Sequence, residues 1–157
     1  MELVAEYLAA RRGEELARLR RVMVLRAMAA TGMSQREMAA ALGVSQPAVS
    51  QQLKAAPDLA GVHPQTLIEA ASSVLKRVAQ SRGFRDLAVF GSVARGSART
   101  DSDIDLLVTP PRGTSIRGMR ELQEIFENIL GRPVDLVSYG GLKPGVDDDV
   151  RREALPL

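Results

Sequence analysis

A chain of 157 residues, 45% hydrophobic and 25% charged, has room for one ordinary domain or two small ones and is globular rather than disordered. It contains no Cys and no Trp, which excludes disulfides and thiolate metal sites, fits a reducing compartment, and leaves the core to Leu, Val, Ile, Ala and Met. The net charge of +2 is unevenly shared: residues 1–57 carry eight Lys/Arg and five Asp/Glu, residues 58–157 thirteen and fourteen, so a basic front and a near-neutral back point to two partners of different kinds.

The opening MELVAEYLAARRGEE carries Glu2 and Glu6 and lacks the unbroken apolar run of a signal peptide. No stretch approaches the roughly 18 apolar residues of a membrane helix, so a soluble, cytoplasmic protein with no membrane partner is expected. From Glu14 to Ala30, Leu16, Leu19, Met23 and Ala27 recur at helical spacing, widened by Val22, Leu25 and Met28. Ser34 with Glu37 has the capping-box spacing and starts a short helix, QREMAAAL, which Gly43 closes. Ser45 caps a third helix with Pro47 in its first turn. Residues 61–64 look like a linker, giving domains over 1–60 and 65–157.

Two short capped helices joined at Gly43 fit a helix-turn-helix. Ala39 is small enough for close helix approach, Gly43 can take the positive φ of the turn, and Val49 and Leu53 pin the second helix to the first. Residues 14–57 resemble the phage-repressor-like, XRE-type unit. That resemblance makes SQPAVSQQLK the recognition helix, with Gln46, Ser50, Gln51 and Lys54 exposed to operator DNA and Gln35, Arg36 and Ser45 available to phosphates. The same polar face would also suit a solvated packing module. One such unit reads half a site; Leu3, Val4, Tyr7 and Leu8 in residues 2–12 could form a homodimer or pack within their own chain.

Beyond a helix from Gln65 to about Ser81 the period changes. DLAVF and DIDLLVT read as strands around a Gly-rich loop; RGMRELQEIFENIL is a helix, RPVDLVS a third strand and VDDDVRREAL a last helix. The whole is α+β: an all-α helix-turn-helix domain followed by a small mixed α/β domain.

In a strand, i and i+2 share a face, so Asp103 and Asp105 present two carboxylates together while Ile104 enters the core. Two anions this close call for a cation, and hard oxygen donors without Cys select Mg²⁺. Magnesium held by few carboxylates completes its shell with water and substrate phosphates, which implies a nucleoside triphosphate. Gly91-Ser92 after the first strand offers backbone N–H groups and a hydroxyl to phosphate, and Arg95 adds positive charge for a leaving pyrophosphate. Asp135 in PVDLV would complete a triad if its strand lies beside DIDLLV, a set suited to two-metal in-line displacement. His63 before Pro64 reads as structural, and Asp101-Ser102 as turn chemistry.

The stretch GSVARGSARTDSDID, a Gly-Ser pair followed after ten residues by Asp-x-Asp, resembles the signature of polymerase-beta-type nucleotidyltransferases. In particular GSVARG…SDIDLLV, within residues 65–157, resembles the minimal nucleotidyltransferases that often serve as antitoxins beside HEPN-domain ribonuclease toxins. The resemblance implies that Gly91 and Ser92 hold triphosphate and that Asp103, Asp105 and Asp135 bind metal, with ATP as co-substrate. It also implies transfer of AMP to a hydroxyl, Tyr, of a partner toxin, the front domain repressing the operon. Two other readings remain open on the sequence: a non-catalytic regulator whose back domain senses nucleotide or docks a partner, and transfer to a small molecule or nucleic acid.

Overall fold

The computed structural model describes residues 1–157. The first helix, α1, runs unbroken from Glu2 to Ala30, where the sequence had indicated a separate segment over 2–12. Gly13 does not end it: one exposed glycine costs a helix only about 1 kcal/mol relative to Ala, and good helix formers flank it. A helix of 29 residues is about 43 Å long at 1.5 Å per residue. Its N-terminal turns stand in solvent, with Leu3 85% and Tyr7 68% exposed.

Helices α2 (Gln35–Leu42) and α3 (Gln46–Lys54) follow. The capping box is present: Glu37 N–H donates to Ser34 Oγ (3.1 Å) and Ser34 N–H to the Glu37 carboxylate (2.7 Å). Gly43 adopts φ 68°, ψ 30°, the left-handed conformation that a side chain resists. Leu25, Met38, Ala39 and Val49 form a small core of their own, with Met28, Met33 and Leu53 packed on it.

A 3₁₀ turn at Leu59–Gly61 leads to α4 (Pro64–Ser81). Then come β1 (Arg85–Phe90), α5 (Gly91–Arg95), β2 (Ile104–Thr109), α6 (Ile116–Leu130), β3 (Val134–Ser138), α7 (Asp148–Glu153) and β4 (Leu155–Pro156). The sheet order is β3-β2-β1-β4, with β2 and β3 parallel and the other pairs antiparallel. Strand alternation sends Leu87, Val89, Ile104, Leu106, Val108, Val134 and Leu136 to one face, under α4 and α6. Leu19, Met23 and Ala27 of α1 belong to this same core. The connection at 61–64 therefore separates two sequence units, while α1 packs into both halves. The opposite sheet face carries Ala88 and Leu107, covered by Leu142 with Tyr139, Val150 and Ala154 alongside. No helix is long and apolar enough to cross a membrane.

Candidate active site

The geometry of the sheet brings together residues that are far apart in sequence. Asp105 is the second residue of β2, and its Cα partner across the parallel ladder is Asp135, while on the other side it faces Phe90, the last residue of β1. Gly91 begins α5 immediately after Phe90, with φ 71°. A Cβ on Gly91 would press into the Asp105 carboxylate, its Cγ only 3.0 Å away. Glycine is thus required twice here, for backbone sign and for space.

Asp103 departs from the expectation in one respect. The strand starts at Ile104, so Asp103 lies on the loop just ahead of it, and strict alternation does not fix its direction. A turn causes this: Arg99 N–H donates to Ser102 Oγ (2.8 Å) and Ser102 N–H to the Arg99 carbonyl (3.0 Å). Asp101 makes a loose, exposed ion pair with Arg99 at 3.7 Å. Ile104 enters the core fully, as expected.

The Asp105 carboxylate feels both of its acidic neighbours. Asp105 is raised above the ordinary carboxylate range by burial first, then by the negative charges of Asp135 and Asp103, with Arg95 opposing and Glu153 adding to the rise. A carboxylate so placed gains from a cation. No three acidic or histidine side chains are gathered tightly enough to form a ready-made metal cage. The donors are all hard carboxylate oxygens, however, and an incomplete set of them fits Mg²⁺, which prefers to finish its octahedron with water and phosphate.

Glu153 was not legible as a site residue. At the end of α7 its Oε1 accepts from Gly91 N–H (2.9 Å), and both carboxylate oxygens accept from Arg95 Nη1 (3.2 and 2.9 Å). Two of the three groups expected to hold phosphate, Gly91 N–H and Arg95, are therefore held by an internal anion. What places it there is β4, pairing Val89 with Leu155 and Ala88 with Pro156, a strand of two residues with no period to read. Ser92 is half-buried in the first turn of α5. His63 is structural, as expected: its Nδ1 accepts from Gln65 N–H (3.2 Å) and its Nε2 lies 3.0 Å from the Ala98 carbonyl.

In the helix-turn-helix, Arg36, Gln46, Gln51 and Lys54 are exposed and Gln35 and Ser50 half-buried. Gln46 Nε2 donates to Gln35 Oε1 (2.8 Å), linking the two helices. Ser45 Oγ accepts from Ala48 N–H (3.2 Å), so its first duty is capping α3. Arg18 and Arg21 of α1 border a cleft with Gln52, adding positive charge beside α3 that a reading confined to α2 and α3 missed.

Comparison with known proteins accords with both halves. Residues 71–155, just over half of the chain, match the family described as nucleotidyltransferase domain. Residues 19–55 match bacterial regulatory proteins of the arsR family. This corrects the expected XRE class, because a small residue, a turn glycine and an apolar pin are common to many helix-turn-helix units. Over 80 residues the chain is 41% identical to protein adenylyltransferase MntA of Thermococcus cleftensis, a match spanning 51% of this chain and 81% of that protein. Over 75 residues it is 34% identical to a candidate protein adenylyltransferase of Methanocaldococcus jannaschii, spanning 48% and 81%. A solved structure of a candidate minimal nucleotidyltransferase aligns with a TM-score of 0.54 at 40% identity, over 59% of this chain and 95% of that one.

Proposed function

Since the chain belongs to the nucleotidyltransferase domain family, we propose that it is a cytoplasmic, Mg²⁺-dependent protein adenylyltransferase of antitoxin type. It transfers AMP from ATP to a Tyr hydroxyl of a HEPN-type toxin, and its helix-turn-helix binds operator DNA to autoregulate the operon. The observation that carries this reading is the register of Asp105 against Asp135, with Gly91 packed on the Asp105 carboxylate. A nucleotide-free packing module gains nothing from adjacent carboxylates that repel one another.

The reaction forms a bond from the acceptor oxygen to the α-phosphorus and breaks the bond from that phosphorus to the oxygen bridging to β, releasing pyrophosphate. Asp135 lies on β3, an edge strand of the sheet, and is exposed; there a protein-borne hydroxyl can approach, and Asp135 takes its proton. Asp103, Asp105 and Asp135 are the residues that would hold Mg²⁺, which when bound neutralises phosphate charge and activates the acceptor oxygen. Gly91 N–H and Arg95, once Glu153 yields them, receive the triphosphate together with the Ser92 hydroxyl. The exposed Leu3, Val4, Tyr7 and Leu8 of α1 serve a homodimer, which supplies the second half-site reader.

Incubation with α-labelled ATP and Mg²⁺, with and without the product of the neighbouring gene, tests the assignment by mass spectrometry of both proteins. An adenylyl adduct on the neighbour's Tyr, absent with Asp103→Ala, is the expected result. Labelling that needs no protein acceptor would redirect the activity to a small molecule or nucleic acid. A second reading, a regulator without catalysis, draws on Glu153 holding the phosphate-binding groups; it requires that Asp103→Ala leave toxin neutralisation intact.

A further inference from the structure

Arg132 is the one charged side chain that the fold buries, at 8% exposure. It stands between Gly131, which caps α6, and the start of β3. Its guanidinium donates to five backbone carbonyls in two distant segments. Nη1 reaches Thr100 (2.9 Å) and Ser102 (3.1 Å), and Nη2 reaches Leu59 (3.1 Å), Ala60 (3.3 Å) and Val62 (2.5 Å). Nε is buried without a partner.

Burying a cation costs stability that an apolar side chain of similar volume would not. What the guanidinium supplies instead is a planar fork joining two loops in fixed relation. One loop, 100–102, runs directly into Asp103. The other, 59–62, connects the helix-turn-helix to α4. A second tie joins neighbouring stretches of the same two segments, from His63 to the Ala98 carbonyl. Leu59 is buried, and a Cβ on Gly131 would lie 3.0 Å from the Leu59 Cβ, so the connector is seated against the corner that carries Arg132. Burial lowers the Arg132 pKa, and the Asp103 charge opposes that fall, consistent with their proximity.

We propose that Arg132 is a positioning residue: it sets Asp103 against Asp105 and Asp135 by clamping loop 100–102 onto the connector at 59–62, making that connector part of the active-site scaffold. The metal-binding consequence rests on the function proposed above; the clamp itself does not.

The test uses the full chain with Arg132→Met and Arg132→Lys, each checked for folding by circular dichroism and thermal melting. Amide hydrogen exchange follows residues 59–62 and 98–104, and Mn²⁺ binding without nucleotide is titrated by electron paramagnetic resonance. In Arg132→Met, exchange rises in both segments together while α6 and β1 keep their protection, and Mn²⁺ affinity falls about ten- to a hundredfold, as with other groups that orient metal ligands. Arg132→Lys, which keeps the charge but not the fork, recovers only part of the affinity, and serves alone if the Met variant does not fold. Unchanged exchange at 98–104, or a Mn²⁺ affinity equal to wild type in both variants, overturns the proposal. If wild-type protein shows no Mn²⁺ site sensitive to Asp105→Asn, the metal assignment fails instead, and the exchange data alone then decide the clamp.

Discussion

The two halves of this molecule are built on different principles. The α2–α3 unit rests on four buried side chains and on caps whose partners lie within three residues along the chain. The carboxylate site rests on a sheet inside a core of 25 buried residues, where Gly91, Asp105, Asp135 and Glu153 meet only because four strands pair correctly. Local structure of the first kind opens at low cost, which suits a reader that must adapt to DNA. Chemistry on phosphate requires the second kind, because its groups must hold position against mutual repulsion.

The largest effect expected is from Asp105→Asn. Nucleotidyl transfer falls by roughly 10³-fold or more, while operator binding, measured by gel shift, stays at the wild-type level. Because the change removes a carboxylate repelled by its neighbours, Tm rises by about 1–3 °C in calorimetry. A fall in Tm would mean that repulsion is already relieved within the fold.

Gly91→Ala forces a Cβ toward the Asp105 carboxylate at positive φ. Backbone strain of about 1–3 kcal/mol appears in denaturant unfolding, and transfer drops by roughly a hundredfold or more because the carboxylate must move. Met38→Ala probes the other half. Loss of this fully buried side chain costs about 2–5 kcal/mol, enough to abolish DNA binding while transfer persists. Equal loss of both activities would break the comparison and show that the shared α1 makes the halves one cooperative unit.

Asp105 also gives the pH dependence. Its pKa is raised in the fold, so ionising it costs more there than in the unfolded chain. Its contribution to stability is greatest at low pH and falls as pH rises from the ordinary carboxylate range through the raised pKa. Transfer, which needs the carboxylate, rises over the same interval. Carbon-13 NMR of the Asp105 carboxyl should show the raised titration, moving downward in Asp135→Asn; an unmoved midpoint would deny that the two carboxylates interact. The smallest effect is that of Glu153→Gln, which weakens the hold on Arg95 and lowers KM for ATP by about two- to fivefold, in line with a partly exposed ion pair. A raised KM would instead make Glu153 a support of the phosphate loop.

Much of the site was legible because its signals are local. The Gly-Ser pair, the ten-residue spacing, Asp103 and Asp105 lie in one stretch, and Asp135 sits in a strand with a plain apolar pattern. The caps of α2 and α3 were readable for the same reason. The match to arsR-family regulators was not, since the local turn is common to many helix-turn-helix units.

The sequence by itself determined most of the helices, three of the four strands, the caps and the candidate residues for phosphate chemistry, because propensity, capping and alternation act over a few residues. Only the tertiary structure decided that α1 is one helix serving both halves, that Asp103 lies ahead of its strand, that Glu153 holds Gly91 N–H and Arg95 and that Arg132 ties the connector to the loop ahead of Asp103. The Glu153 and Arg132 contacts span tens of residues, and the energy of such a contact exists only once the sheet and its packed helices have brought the partners together.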